Sequence, residues 1–321
     1  MPRRQMRRRS TATTKGGSSS AASFKGRRNM FEYSWFHIAP WGAELSIYFF
    51  LIGMAGMSYA LSTAPDLFGG KFEALRPVQT PGLLLALVIV GVCAPLLILD
   101  LGQPGRFLYP IIYFHWTSPL SWGSVFLVLF TACIVGFYWA KHMGNRSDLL
   151  KPLAIVGSLL GLSMPLYTGL DLMVNTTREV WATPWMPVMF TVLSISSGTA
   201  MIALIAKVRG CTGADVMAIL HTILLASVAT TFALFLGLVV TLLYGSGEMQ
   251  QGWAILNSQY GTQIWLLTFV IGILLPLGML ALPAIGRQPT ILVGAGIASM
   301  VGAFMVREVI LVAGQLPQLF Y

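Results

Sequence analysis

The sequence predicts an all-α integral membrane protein, a bundle of about eight transmembrane helices. Hydrophobic residues occupy 56% of the 321 positions and charged residues only 10%, whereas a soluble domain carries about a quarter charged residues. Apolar runs of roughly 20 residues, long enough to cross a bilayer core, recur along nearly the whole chain with short polar gaps between them. We therefore expect one transmembrane domain over residues 31–321 and no second, soluble domain.

Residues 1–30 form a basic tail, rich in Ser, Thr and Gly, that we expect to be disordered. Nine Lys and Arg side chains lie in this tail, and the formal net charge of +9 is concentrated there. Three interpretations remain open: a solvated leader, a contact with anionic lipid or a partner subunit, and a targeting signal. The basic run is not embedded in a DNA-binding fold, so no nucleic-acid partner is expected.

Each predicted helix is an apolar run between Pro, Gly or charged residues. In order, the predicted helices are Ile38–Ser62, Pro81–Leu99, Pro119–Ala140, Leu149–Val174, Trp185–Ala206, Ala214–Tyr244, Thr262–Leu282 and Pro289–Ala313. Gly157 and Gly161 form a GxxxG pattern in the fourth run, which favours close helix packing in lipid.

The first and fifth helices suggest an internal repeat. Pro40-Trp41 opens the first run and Pro184-Trp185 opens the fifth. Helices four apart cross the membrane in the same direction, so a parallel repeat of two four-helix halves is one interpretation. A chance match is the other.

Eight crossings place both termini on one side of the membrane, here called the N-side. The loops on the opposite side carry most of the basic loop residues: Lys71, Arg76, Lys141, Arg146, Lys151, Lys207, Arg209 and Arg287. The N-side loops carry only Arg106 and Arg178. By the positive-inside rule the N-side faces away from the cytoplasm, although the basic tail argues for the opposite orientation.

The first predicted helix carries His37, Trp41, Glu44 and Tyr48, spaced by four, three and four residues. Such spacing places them along one helix face. Glu44 is expected about two turns into a transmembrane helix, where a carboxyl must be protonated, paired or wetted, so it is a functional candidate. For the other three residues, an interfacial cap, an aromatic belt and packing are alternative interpretations.

Further polar residues are expected near the same membrane face. Tyr167 and Asp171 are neighbours on one face at the end of the fourth helix, and Arg307 with Glu308 lies in the last helix. Arg307 is a candidate to neutralise Glu44, Asp171 or Glu308, and a purely structural ion pair is the alternative.

The connection between the second and third helices carries Asp100 and Arg106 among several Gly and Pro residues. A charge-assisted bond between these two side chains would stabilise a tight, ordered connection. The more specific alternative is that this connection is a docking surface for a partner subunit.

His37, Glu44, Tyr167, Asp171 and Arg307 together predict one cavity with hydrogen-bond donors and titratable groups beside apolar walls. A quinone suits this set, because its carbonyls need donors, its ring needs aromatic surface and quinol oxidation needs bases to receive protons. These residues would also suit another polar ligand.

At these residues the chain resembles the polysulfide-reductase membrane-subunit family, also called NrfD-like, over nearly everything after the tail. The matching segments are Leu99-Asp100-Leu101-Gly102-Gln103-Pro104-Gly105-Arg106-Phe107, Thr117-Ser118-Pro119, Tyr167-Thr168-Gly169, the aromatic-rich start of the first helix, and Arg307 with Gly314-Gln315.

The resemblance implies a quinone-binding membrane anchor of a respiratory oxidoreductase in the prokaryotic cytoplasmic membrane. The implied substrate is menaquinone or ubiquinone, and no haem, metal or iron–sulfur cluster is bound by this chain. The implied partners are a four-cluster ferredoxin-like iron–sulfur subunit and a molybdopterin catalytic subunit. The implied pocket uses Tyr33, His37 and Tyr167, beside Trp41 and Arg307, although Tyr33 stands where the family pattern has asparagine.

Within that interpretation, His37, Glu44 and Asp171 are the expected proton acceptors, and Asp100 with Arg106 is the expected docking site. Cys93, Cys133 and Cys211 show no CxxC spacing, so they predict neither an iron–sulfur cluster nor a zinc site.

Two other functions remain open from the sequence. An ion-coupled secondary transporter is suggested by the possible repeat and by the buried charges, but matching pairs of broken helices are lacking. A b-type cytochrome needs two facing histidines, and His37 and His221, the only candidates, are expected near opposite membrane faces.

Overall fold

The computed structural model describes residues 41–100, 104–144 and 146–315. Residues 1–40, and with them the basic tail, Tyr33 and His37, lie outside the described part of the chain. Within the described ranges, eight helices are long and apolar enough to cross a membrane. This confirms the predicted fold class, while the division into two related halves stays a prediction.

The spanning helices are labelled α1 to α8 in chain order. They are α1 (Ala43–Phe68), α2 (Arg76–Asp100), α3 (Pro119–His142), α4 (Ser147–Met173), α5 (Trp185–Val208), α6 (Ala214–Tyr244), α7 (Gly247–Leu280) and α8 (Pro289–Ala313). The predicted bounds of the third to sixth and the eighth helices agree to within two residues.

The first helix lies further along the chain than predicted. Trp41 and Gly42 precede the helix, so Glu44 lies in the first turn of α1 and is exposed. The prediction that Glu44 lies about two turns into the first helix is therefore wrong. At its other end the helix continues past the predicted Ser62 to Phe68. Within this extension the Thr63 hydroxyl donates to the Tyr59 carbonyl at 3.0 Å, so this polar group is satisfied within the helix.

Two further helices begin earlier than predicted. A short 3₁₀ helix, Gly70–Leu75, leads directly into α2. Residues 247–261 were expected to be a loop but form the start of α7, where the Ser246 hydroxyl accepts a hydrogen bond from the Met249 amide at 3.3 Å. The middle of α7, Thr262–Leu274, is π-helical.

Helices α1 and α5 form the centre of the bundle. Of their apolar stretches, 78% and 61% of residues are buried, against 28–50% for the other six helices. Helix α1 packs against α2, α4 and α5, and more lightly against α8, while α5 packs against α1, α4, α6 and α8. Residues on α1 can therefore meet partners from most of the bundle.

Glycines allow the closest of these helix contacts. A Cβ at Gly56 of α1 would lie 1.9 Å from the carbonyl oxygen of Gly161 in α4, and a Cβ at Gly157 would lie 2.5 Å from the Tyr59 ring. The two glycines of the GxxxG pattern thus both face α1. In lipid, the hydrophobic effect gives little driving force for helix–helix association. Close packing of this kind therefore holds the helices together.

An ion-pair network joins α1, α2 and α3 at the membrane face opposite Trp41. Asp66 accepts from Arg76 at 3.2 Å and from Lys141 at 3.4 Å. Gln79 bridges the same groups, donating to Asp66 and accepting from Lys141. The network ties the ends of three helices together in the protein.

We expect Gly56→Ala to lower the free energy of unfolding by about 1–3 kcal/mol, because the added methyl group overlaps the Gly161 backbone. The matched control is Gly278→Ala, since Gly278 is also helical and a Cβ there meets nothing within 4 Å. Unfolding of both variants in mixed micelles is the measurement. Equal stability of Gly56→Ala and the wild type would contradict the packing described.

Candidate functional site

A cavity of about 210 Å³ lies near one membrane face, between α1, α2, α3 and α4. Its wall combines aromatic, aliphatic and acidic side chains, which are Trp41, Leu45, Tyr48, Phe49, Leu97, Leu120, Tyr167 and Asp171. The ends of α2 and α4 and the starts of α1 and α3 supply these residues, so the cavity lies at the N-side end of the bundle. Three of the predicted pocket residues, Trp41, Tyr167 and Asp171, are brought together here.

Two phenols meet at this cavity. The hydroxyls of Tyr48 and Tyr167 are hydrogen-bonded to each other, and the two residues are only 1% and 5% exposed. The Tyr167 ring lies against Gly123 of α3, where a Cβ would come within 2.2 Å of a ring carbon. Gly123 is therefore the residue that leaves room for this ring, and the packing explains the glycine after Trp122.

Asp171 lies one turn after Tyr167 and is partly buried. Its backbone carbonyl accepts a hydrogen bond from the Asn175 side chain at 2.7 Å, near the end of α4. A carboxylate at the cavity wall is an acceptor for protons and for hydrogen bonds. The predicted i, i+4 relation thus places an acid and a phenol on the same cavity.

Trp41 is held at the cavity by residues far along the sequence. The Gln315 side chain accepts from the Trp41 amide at 3.0 Å and donates to the Trp41 carbonyl at 2.9 Å. The Trp41 ring stacks on Trp181 with centroids 5.0 Å apart, and Trp181 in turn donates to the Ile310 carbonyl at 2.7 Å. The sequence pointed to Gln315 only through the family resemblance and gave no signal for Trp181.

Arg307 is fully buried but does not line this cavity. Its guanidinium donates to the carbonyls of Ala303 and Phe190 at 2.7 and 3.0 Å and to the Ser194 hydroxyl at 2.8 Å. Phe49, which does line the cavity, packs on Phe190 with centroids 6.0 Å apart. The prediction of Arg307 as a pocket residue is therefore not supported by this geometry.

The expected ion pair of Arg307 is also not found among the described residues, where its hydrogen-bond acceptors are uncharged. The predicted partners were Glu44, Asp171 and Glu308. A guanidinium tolerates this setting because its planar group contacts aromatic faces as well as carbonyl oxygens; the Phe190 and Phe50 rings lie 5.3 and 5.9 Å from it.

Other predicted residues lie apart from the cavity or outside the described residues. Arg106 is exposed and its guanidinium lies 5.7 Å from the Tyr109 ring. The side chain of Asp100 is outside the described part, as are Tyr33 and His37. His221 lies at the other end of the bundle and is hydrogen-bonded to the Leu280 carbonyl at 3.0 Å, which gives it a structural role.

The chain is similar to known proteins over most of its length. The family described as "Polysulphide reductase, NrfD" matches residues 33–317. The chain is 26% identical to Protein NrfD of Escherichia coli, over 89% of this chain and 99% of that protein. It is 24% identical to a polypeptide of the polysulfide reductase of Wolinella succinogenes, over 89% of this chain and 94% of that protein.

A shorter match has higher identity. The chain is 30% identical to a subunit of the tetrathionate reductase of Salmonella typhimurium, over 52% of this chain and 49% of that protein. The chain thus matches about half the length of this relative.

We expect Gln315→Leu to lower the free energy of unfolding by about 1–2 kcal/mol, because the Trp41 amide and carbonyl both lose their partner. Gln250→Leu is the matched control, since Gln250 is exposed and its side chain donates to the nearby Gly245 carbonyl. Unfolding in mixed micelles measures both variants. If the two variants are equally stable, Gln315 does not hold Trp41 in place.

Proposed function

Since this chain belongs to the polysulphide reductase NrfD family, we propose that it is the quinone-binding membrane subunit of a respiratory oxidoreductase. In this role it anchors the complex and exchanges electrons between the quinone pool and an iron–sulfur subunit. The names of its relatives, which include subunits of a polysulfide, a tetrathionate and a selenate reductase, support a place in such a complex.

The observation that carries the proposal is the convergence of Tyr48, Tyr167, Asp171 and Trp41 on one cavity. A quinone head group needs hydrogen-bond donors for its carbonyl oxygens and flat apolar surface for its ring. The phenol pair supplies a donor, and Trp41 with Phe49 supplies aromatic surface. The three leucines of the wall add apolar surface around the ring.

Each polar residue of the cavity has a distinct proposed role in quinone binding or proton transfer. Tyr167 binds the head group, while Tyr48 orients the Tyr167 hydroxyl through their mutual hydrogen bond. Oxidation of a quinol releases two electrons and two protons, and Asp171 is the proposed acceptor for a proton within the cavity. Exposed Glu44, in the first turn of α1, is proposed to pass protons on to solvent.

His37 and Tyr33 belong to the same proposal through the family resemblance. His37 precedes Trp41 by four residues and is proposed as the second proton acceptor, with Tyr33 as a contact to the head group. Both lie outside the described residues, so their part rests on the sequence.

The partners and the orientation are likewise proposals. We propose a four-cluster ferredoxin-like subunit as the electron partner and a molybdopterin subunit as the site of substrate chemistry. Electrons cross to the partner most readily if it docks on the face that holds the cavity. Exposed Arg106 lies on the connection at this face, and Asp100 is the last residue of α2 before it. These two are the proposed docking residues, with the N-side proposed to face away from the cytoplasm.

The complex purified with its natural subunits tests the proposed function directly. We expect a quinol to reduce the iron–sulfur clusters that co-purify with the chain, and electron paramagnetic resonance measures their reduction. Reduction by dithionite is the control that the clusters are competent. Clusters that dithionite reduces but quinol does not, in a folded complex, would overturn the proposal.

In the same assay Tyr167→Phe should lower the rate of cluster reduction by quinol by about tenfold or more, because the donor to the head group is lost. Tyr48→Phe should lower it too, and the double variant should be little worse than Tyr167→Phe, since the two hydroxyls act as one unit. Tyr138→Phe is the matched control, because Tyr138 packs on His142 near the other end of α3. Additive losses would show that the phenols act separately.

A further inference from the structure

The connection between α4 and α5, residues 174–184, lies at the N-side end of the bundle beside the site cavity. It begins shortly after Asp171, which lines that cavity. It also carries Trp181, whose ring stacks on Trp41 of the same cavity. Two walls of the cavity, one acidic and one aromatic, therefore contact the same short segment. The roles proposed above use Asp171 and Trp41 but give this segment no part.

Three contacts fix the ring of Trp181. Its indole N–H donates to the Ile310 carbonyl of α8 at 2.7 Å. A Cβ at Gly314, just after α8, would lie 1.9 Å from a carbon of the ring, so this glycine allows the ring to pack there. The Arg178 guanidinium lies 5.4 Å from the ring centroid, within the range of a cation–π contact. Only 2% of Trp181 is exposed, so the ring is enclosed in one orientation.

Hydrogen bonds within the connection link these contacts to the acidic wall. The Asn175 side chain donates to the Asp171 carbonyl at 2.7 Å, and the Asn175 carbonyl accepts from the Arg178 amide at 2.9 Å. The Arg178 carbonyl in turn accepts from the Trp181 amide at 2.9 Å. The Arg178 guanidinium also donates to the Gly314 carbonyl. The connection is thus an ordered element that joins the end of α4 to the end of α8.

Trp41 depends on such contacts because it precedes α1. The helix begins at Ala43, so the hydrogen bonds within the helix do not fix Trp41. Its amide and carbonyl are bound by Gln315, and its ring stacks on Trp181 with an angle of 12° between the two planes. A planar ring has two faces, and Trp181 covers one of them. The other face and the edges of the ring are what Trp41 offers to the cavity.

We propose that Trp181 is a positioning residue for the quinone head group and acts through Trp41. Trp181 holds the Trp41 ring in the orientation in which a flat ligand ring packs against it, so binding does not have to order this side chain. Ordering a free side chain on binding costs up to about tenfold in affinity. The inference rests on the proposed function, which it deepens by assigning a binding role to a residue that does not line the cavity.

A purely structural role is the alternative, because a buried, hydrogen-bonded tryptophan also stabilises a helix bundle. Trp185, four residues further along the chain, separates the two roles. Its indole N–H is also hydrogen-bonded, to the Thr241 hydroxyl at 2.9 Å, and its ring also packs against a glycine, Gly237. It does not line the site cavity. Trp185→Leu is therefore the matched control for Trp181→Leu.

The measurement is the rate at which menadiol reduces the co-purified iron–sulfur clusters, as a function of menadiol concentration. We expect Trp181→Leu to raise the half-saturating concentration by about tenfold. The limiting rate should stay within about twofold of the wild-type rate, because Tyr167 and Asp171 are unchanged. Trp185→Leu should change neither value. Trp181→Phe keeps a flat ring against Trp41 and should recover most of the lost affinity.

A double variant tests whether Trp181 acts through Trp41. If it does, Trp41→Leu combined with Trp181→Leu should raise the half-saturating concentration no further than Trp41→Leu alone. Arg178→Ala removes a half-buried side chain that contacts the Trp181 ring, and should raise the half-saturating concentration by about threefold. If Trp181→Leu does not assemble into the complex, Arg178→Ala and Trp181→Phe decide the question.

The outcomes separate the positioning role from the proposed function. Equal shifts in Trp181→Leu and Trp185→Leu would leave Trp181 a structural role only, and would overturn the proposal while the quinone site stands. Wild-type half-saturating concentrations in Trp181→Leu and Arg178→Ala would overturn it too, as would additive losses in the double variant. If menadiol does not reduce wild-type clusters that dithionite reduces, the proposed function itself fails, and the positioning role falls with it.

Discussion

A membrane interior offers no water to its polar groups, and this constraint organises the whole structure. Hydroxyls, amides and charges at membrane depth are therefore stabilised mainly by partners within the protein. The bundle meets this requirement by local bonds to the preceding turn, as at Thr63, and by contacts between helices. Arg307 shows how far the requirement extends, because even a guanidinium is held by two carbonyls, a hydroxyl and two aromatic rings. The central helices α1 and α5 carry many of these groups.

The same constraint explains why the site forms where it does. Four helices contribute to the cavity, and they must approach one another closely enough for their side chains to meet. Gly56, Gly161 and Gly123 allow that approach, since each lies against backbone or a ring where a side chain would overlap. The phenol pair of Tyr48 and Tyr167 then joins α1 to α4 directly. The close helix packing at these glycines thus brings the two site tyrosines within hydrogen-bonding distance.

Sequence patterns predicted the helices well because an apolar run long enough to span lipid has few alternatives. They failed at polar ends: residues 247–261 looked like a loop, yet Ser246 caps a helix there. For the site, the i, i+4 spacing correctly placed Tyr167 beside Asp171, since that relation lies within one helix. The partnership of Tyr48 with Tyr167, and the orientation of Arg307 away from the cavity, depend on the rotation of separate helices. The spacing of residues along one helix does not determine how that helix is rotated relative to its neighbours.

The site cavity also limits which ligand it can hold. Its volume of about 210 Å³ is below the roughly 300–1,000 Å³ of ordinary ligand pockets. Its aromatic wall is fixed by Gln315 and Trp181, which leaves little freedom on that side. Affinity for a ligand in this space must then come from its fit to the aromatic wall and from hydrogen bonds to the phenol pair, and such a site selects its ligand by the combination of the two.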